Sequence, residues 1–295
     1  MSSSGWRNWR RAQGWANKPA MTTTRTLIIH EDDLGNSHGA NMAFVELWDM
    51  GLATSGSVIV PCPWFPEIAR IGRERPEMDL GVHLTLTAEF DAVRWRPLTG
   101  VKDNGLCDGD GYFWHRVADA RKADPVAVEA ELRAQIETAY AAGIDVTHLD
   151  SHMGTVWQPE FLPIFAKLGR EYRLPIGLTR DMARMGADQA QLQAVFDEVI
   201  PLGHPDLLTY VTTPFNQPTA TEPHYRKMFS ELTPGLHFGA FHFTKPGDME
   251  FFSPDIKLRT TEYDMFRDGT AKRLLDEAGI TLAGLREVRD AMRSR

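Results

Sequence analysis

From residue 25 onward the chain repeats one pattern: a short apolar run, a loop, then a stretch of helical period. The first run predicts a strand over 26–29, ending in the polar cluster His30-Glu31-Asp32-Asp33. A helix over 38–50 follows, with Ser37 as its N-cap and Gly51 as its stop. Residues 57–60 predict a second strand and 66–75 a helix. Apolar and polar residues alternate over 80–86, the signature of a third strand. Residues 88–123 show little periodicity and read as a long loop. The best helix covers 125–142, capped by Asp124 and ended by Gly143. A fourth strand, 144–149, runs into Asp150-Ser151-His152. Then come a helix over 159–172, a strand over 174–178, a helix over 189–200 and strands over 207–212 and 236–244. Helices over 261–278 and 282–293 close the chain. Strands that alternate with helices imply a parallel sheet. About seven such units fit a single-domain α/β fold, a distorted or incomplete (βα) barrel of TIM type, with a doubly wound open sheet as the competitor. No glycine-rich phosphate loop follows the first strand, so a nucleotide site has little support.

The chain has 295 residues, 42% hydrophobic and 24% charged, ordinary values for a globular protein. Lys and Arg number 32 against 40 Asp and Glu, a net charge of −8. That balance argues against nucleic-acid or anionic-membrane partners, which require a basic face. Two cysteines, Cys62 and Cys107, make no disulfide framework or zinc-finger pattern. Residues 1–20 hold Arg7, Arg10, Arg11 and Lys18 and no acid, without the apolar run of a signal peptide. They read as a flexible extension ahead of a domain over 21–295. No apolar stretch spans a membrane, and the expected location is the cytoplasm. A homo-oligomer stays open.

Active sites of parallel barrels lie at the carboxyl ends of the strands. The first strand delivers Asp32 and Asp33 there, the third His83, the fourth His148, Asp150 and His152, and the last His242, with His237 nearby. One Asp and two His make a competent ligand set for Zn²⁺ or a similar divalent ion, with positions left open. Each residue alone has a structural reading. Asp32-Asp33 before Gly35 reads as a solvated turn, His83 as a hydrogen-bonded core residue, and His242 as one member of an aromatic cluster. His148 and His152 are four residues apart, and one of them can serve packing. Their convergence at one barrel end favours chemistry. His30, His38, His115, His204 and His224 read as structural.

Taken together, His30-Glu31-Asp32-Asp33-Leu34-Gly35, Gly81-Val82-His83-Leu84 and Thr147-His148-Leu149-Asp150-Ser151-His152 resemble the YdjC-like carbohydrate deacetylases. Pro234-Gly235, followed by the strand reaching His242, resembles that family's late motif. The resemblance spans about residues 25–275 and is most specific in the T-H-x-D-S-H segment. It implies a distorted βα barrel and a hydrolase that uses one divalent ion, Mg²⁺ or Zn²⁺, to remove acetyl groups from N-acetylated amino sugars or small oligosaccharides. It further implies Asp33, His83 and His152 as metal ligands, Asp32 as the catalytic base, and His242 as an acid or an aid to the intermediate. Two departures alter the pocket wall. Met153-Gly154-Thr155-Val156-Trp157 stands where many relatives carry further histidines, and His242 precedes Phe243 rather than a proline.

The chemistry agrees with these roles. An amide resists hydrolysis because nitrogen donates into the carbonyl. Cleavage needs an activated water, oxyanion stabilisation and a proton for the amine, which a divalent ion, a carboxylate and an imidazole supply. Asp150 suits orientation of a metal-binding histidine. Trp95, Trp114 and Trp157 lie in or near the long loops, where an aromatic face can stack on a sugar. Two rival readings are a metal hydrolase of another amide or ester, and a barrel that binds carbohydrate without turnover; a base at Asp32 argues against the second.

Overall fold

The computed structural model describes residues 23–295. The N-terminal extension read from residues 1–20 lies outside them. The sheet is built on β1 (Arg25–Leu34), whose residues are buried after the first. A strand covered on both faces admits a near-continuous apolar run. Here that run continues into the four polar residues, which lie inside β1 rather than after it.

The other strands are β2 (Ser55–Val58), β3 (Leu80–Leu84), β4 (Leu149–Ser151), β5 (Leu207–Thr212), β6 (Gly235–Phe241) and β7 (Ile280–Leu282). The order is β4-β3-β2-β1-β6-β5, and every pairing is parallel. β7 pairs with the first residues of β1, Arg25–Leu27, while β2 pairs further along, from His30 to Leu34. Residues 174–180 span the gap between β4 and β5. Leu149 N donates to Pro175 O (2.9 Å), Gly177 N to Leu149 O (2.7 Å), and Arg180 N to Leu207 O (2.9 Å). The strand expected over 174–178 is therefore an irregular stave, and Pro175 has no N–H to extend a ladder. The result is a distorted, incomplete (βα) barrel.

The helices are α1 (His38–Asp49), α2 (Phe65–Glu74), α3 (Val117–Ala120), α4 (Pro125–Ala141), α5 (Leu162–Glu171), α6 (Gln189–Val199), α7 (Glu222–Ser230), α8 (Ile256–Arg267), α9 (Thr270–Glu277) and α10 (Arg286–Arg293). Two expected caps are formed: Ser37 Oγ accepts from Ala40 N at 2.9 Å and Asp124 Oδ1 from Val126 N at 3.0 Å. The helix expected over 261–278 is two helices, parted at Gly269, whose φ of +91° turns the chain. α7 was not anticipated; it buries only Tyr225 and Phe229, too few positions to show a period. The fourth strand, expected over 144–149, instead begins at Leu149 and ends at Ser151, and a 3₁₀ segment, His152–Trp157, precedes α5. Among the described residues no helix is long and apolar enough to cross a membrane.

Candidate active site

At the carboxyl end of the barrel lies a cavity of about 930 Å³, with Asp32, Asp33, His83, His152, His242 and Arg259 in its wall. The two carboxylates come from β1. In a regular strand, neighbours point to opposite faces, which is how the sequence would divide their work. The register with β2 instead slips between Glu31 and Leu34, and Asp33 takes φ +63°. That left-handed conformation is strained for a residue with a Cβ. It brings both carboxylates to one place: Asp32 Oδ2 and Asp33 Oδ2 each lie 3.8 Å from His242 Nε2. Asp32 Oδ2 and Asp33 Oδ1 lie 3.8 and 3.5 Å from His83 Nε2.

His83, on β3, stands in register with Asp150 on β4 and donates from Nδ1 to Asp150 Oδ1 at 2.9 Å. Asp150 Oδ2 accepts from Ser57 Oγ (2.8 Å) and faces His30 Nε2 (2.9 Å). His152 follows β4, where Met153 and Gly154 at positive φ turn the chain. Its Nδ1 lies 3.0 Å from Asp33 Oδ1, and its Nε2 donates to Glu89 Oε2 at 2.9 Å.

Asp33, His83 and His152 thus bring three potential ligand atoms within 4.8 Å of one another, all buried. The donor set fits a divalent ion. Each imidazole has its far nitrogen tied to a carboxylate, which leaves the near nitrogen for a metal. Asp33 Oδ1 is buried without an aligned hydrogen bond. Two further groups of three share Asp150, with Asp32 and His83 or with His30 and His148, but the oxygens of Asp150 already serve His83, Ser57 and His30.

The two carboxylates differ in surroundings. Burial pushes Asp32 well above the usual carboxylate range, with His83 opposing and the charges of Asp150 and Asp33 adding to it. Burial acts on Asp33 too, but His152 and His83 beside it hold it well below that range. Burial likewise works against protonation of His152, yet Glu89 and Asp33 raise it to about 9. Arg259, from α8, donates from Nη1 to Asp33 Oδ2 at 3.1 Å and from Nε to Asp255.

His242 sits one residue past β6, buried, with Thr213 Oγ1 3.0 Å from its Nδ1 and the edge of Phe215 against its ring. Phe243 N donates to the buried Glu31 Oε2 at 3.0 Å, a bond that proline at 243 could not make. His237 donates to Thr233 O and takes no part in the site. His148 does not line the cavity wall. It is fully buried, bonded to Thr147, and packed on Gly81, where a Cβ would come 2.4 Å from its Nε2. This packing accounts for the glycine of Gly81-Val82-His83-Leu84. Of the three tryptophans, Trp95 and Trp114 donate to backbone oxygens of Thr87 and Gly105. Trp157 borders the cavity but is only 2% exposed. Phe215 and Phe251, 48% and 85% exposed, present the open aromatic faces.

A family model described as YdjC-like protein matches residues 26–277. The chain belongs to this family. It is 36% identical over 263 residues to a carbohydrate deacetylase of Thermus thermophilus, covering 86% of this chain and 90% of that one. A carbohydrate deacetylase of Brevibacillus brevis is 36% identical over 150 residues, 51% of this chain and 58% of the relative. A crystal structure from Enterococcus faecalis V583, of a protein named for cellobiose-phosphate cleavage, superposes with a TM-score of 0.74. At 22% identity, over 90% of this chain and 99% of that one, it shows a shared fold.

Several residues around this YdjC-like site escaped the sequence reading. Arg259 and Glu262 leave a faint signal, since with Phe266 they follow a helical spacing that places charge on a buried face. His30, read as structural, touches both Asp150 and Asp32. Glu89 gave no sign, because it reaches His152 across 63 positions of sequence.

Proposed function

We propose that this YdjC-like protein is a metal-dependent carbohydrate deacetylase, which hydrolyses the amide of an N-acetylated amino sugar or small oligosaccharide. The observation that carries this reading is the meeting of Asp32, Asp33, His83, His152 and His242 in the wall of one cavity. The carbohydrate deacetylase names of its relatives support the substrate class.

In this reading Asp33, His83 and His152 would hold one divalent ion. Two imidazoles and a carboxylate favour Zn²⁺ over Mg²⁺, which prefers oxygen ligands. When bound, such an ion would supply Lewis acidity toward a carbonyl and would lower the pKa of a water. Asp150 and Glu89 fix the rings of His83 and His152 from behind. The charge of a bound ion would favour ionised Asp32 against its burial, and Asp32, the carboxylate without an arginine, then takes the proton of the attacking water. The neutral Nε2 of His242, 3.8 Å from Asp32 Oδ2, receives that proton and gives it to the departing amine nitrogen. Burial favours a neutral His242 at rest, keeping it well below the usual imidazole range; Asp33 opposes this and Arg259 reinforces it. The C–N bond breaks, acetate and a free amine leave, and both residues return to their starting charge. Phe215 and Phe251 offer apolar faces to the sugar. The two free cysteines accord with a reducing, cytoplasmic setting.

The test is acetate release from a panel of N-acetylated sugars, aryl acetates and other amides. Release from the sugars above the rest supports the reading, whereas preference for another amide or ester selects the rival hydrolase.

A further inference from the structure

Behind His242, on the side away from the two aspartates, lies a chain of buried polar groups that the proposed mechanism does not use. Glu262, on α8, is completely buried. Its Oε2 accepts from Thr213 Oγ1 at 2.8 Å and from the backbone N–H of His242 at 3.0 Å. Its Oε1 is bonded to the hydroxyl of Tyr225. Thr213, 1% exposed, lies just past the end of β5 with its Oγ1 3.0 Å from His242 Nδ1.

The direction of these bonds follows from counting hydrogens. A threonine hydroxyl has one hydrogen to give, and an ionised carboxylate has none. Burial raises Glu262 to about 7, with Tyr225, the His242 N–H and Thr213 holding it down; above that pH it is ionised, and there Thr213 donates to Glu262 and can only accept from His242. The hydrogen of neutral His242 then sits on Nδ1, and Nε2 presents its lone pair to Asp32 and Asp33. The hydrogen bond at one imidazole nitrogen decides what the other can do.

We infer that Glu262 and Thr213 are positioning residues that hold His242 in the Nδ1–H form, so that Nε2 is the atom that accepts and delivers the proton. This rests on the deacetylase reading for its role in turnover, but not for the tautomer itself. The arrangement suits a proton carrier. On taking a proton at Nε2 the ring carries hydrogen on both nitrogens, with Nδ1–H still bonded to Thr213. On releasing that proton to the amine it returns to the tautomer that Thr213 and Glu262 favour. Were Nε2–H the resting form, that nitrogen could accept nothing from Asp32. Phe215 packs against the same imidazole in a T-shaped contact, with ring centroids 4.8 Å apart.

The experiment uses the full-length, metal-loaded protein and three variants: Thr213→Val, nearly isosteric but without the hydroxyl, Thr213→Ser, which restores it, and Glu262→Gln. Long-range ¹H–¹⁵N spectra, with the His242 signals assigned by their loss in His242→Gln, read the tautomer directly. Steady-state kinetics on an N-acetylated sugar read kcat and KM. The wild type should show Nδ1–H, and Thr213→Val should gain the Nε2–H form. Its kcat should fall about 10–100-fold, as is usual for a lost supporting hydrogen bond, with KM and metal content unchanged. Thr213→Ser should return to within about threefold of wild type. Should Thr213→Val fail to fold, Glu262→Gln carries the same spectral test, since its amide can donate to Thr213 and release the fixed direction. A wild-type His242 in the Nε2–H form overturns the inference whether or not any sugar is turned over. An unchanged tautomer in the folded variants does so too, as do equal losses in Thr213→Val and Thr213→Ser. A protein that deacetylates no sugar yet shows the tautomer shift keeps this inference and rejects only the deacetylase reading.

Discussion

Replacing Glu89 by alanine should weaken metal binding without unfolding the protein. Glu89 accepts one hydrogen bond, at 2.9 Å, from His152 Nε2. Its side chain is 20% exposed. A hydrogen bond to a charged group contributes roughly 1.5–3 kcal/mol, and solvent access puts this one near the lower end. About 1.4 kcal/mol is a factor of ten in affinity, so Glu89→Ala should raise Kd for Zn²⁺ about tenfold. Asp150 provides the internal comparison. It supports His83 in the same way, but is buried and also engages Ser57 and His30. Asp150→Asn keeps one acceptor oxygen yet turns an N–H₂ toward groups that donate, so about a 100-fold loss and a lower Tm are expected. Competition titration against a chelator of known affinity gives both constants on the intact chain, and thermal unfolding separates binding from folding. If Glu89→Ala binds Zn²⁺ as tightly as wild type while Asp150→Asn does not, His152 is not a ligand held through its Nε2–H bond.

Asp32→Asn should keep the ion and lose about 10²–10⁴-fold in kcat as a missing general base, while Asp33→Asn should empty the site; metal content and kcat measured together distinguish them, and the opposite pattern would exchange their roles. Phe251→Ala should raise KM for an acetylated oligosaccharide with kcat little changed, the signature of binding lost equally from ground and transition states; an unchanged KM would remove Phe251 from the sugar site. Burial holds His204 near 4 rather than 6.5, with Arg170 adding to the effect. Between those values the unfolded chain binds a proton that the folded chain refuses, so stability falls as pH drops from 6.5 to 4, by about 3 kcal/mol from this group. Urea unfolding of His204→Gln should show a shallower acid slope than wild type, and equal slopes would rule this histidine out.

The barrel was legible because β1, β3 and β6 carry apolar runs that alternate with helical stretches, and the site histidines stand at or near the ends of strands. What the sequence hid was set by contacts, not by period. The slip that turns Asp32 and Asp33 the same way depends on pairing with β2. The stave over 174–180 is held by bridges to its two neighbours and not by its own pattern. Arg259 and Glu262 come from a helix more than 200 positions beyond β1, and only folding places them beside Asp33 and His242. The most exposed aromatic faces of the cavity belong to Phe215 and Phe251, while Trp157 borders it almost wholly buried. Trp95 and Trp114 each have an N–H that needs a partner when buried, and the loop backbone supplies it.

The measurement closest to the central claim follows acetate and free amine together from an N-acetylated amino-sugar oligosaccharide. It compares the metal-depleted chain, the same chain after Zn²⁺ or Mg²⁺ is restored, and the Asp32→Asn variant with its ion bound. The two products should appear in equal amounts, vanish on metal removal, return with the ion, and remain near background in the loaded variant. Release that ignores metal removal, or full release from loaded Asp32→Asn, would contradict the account.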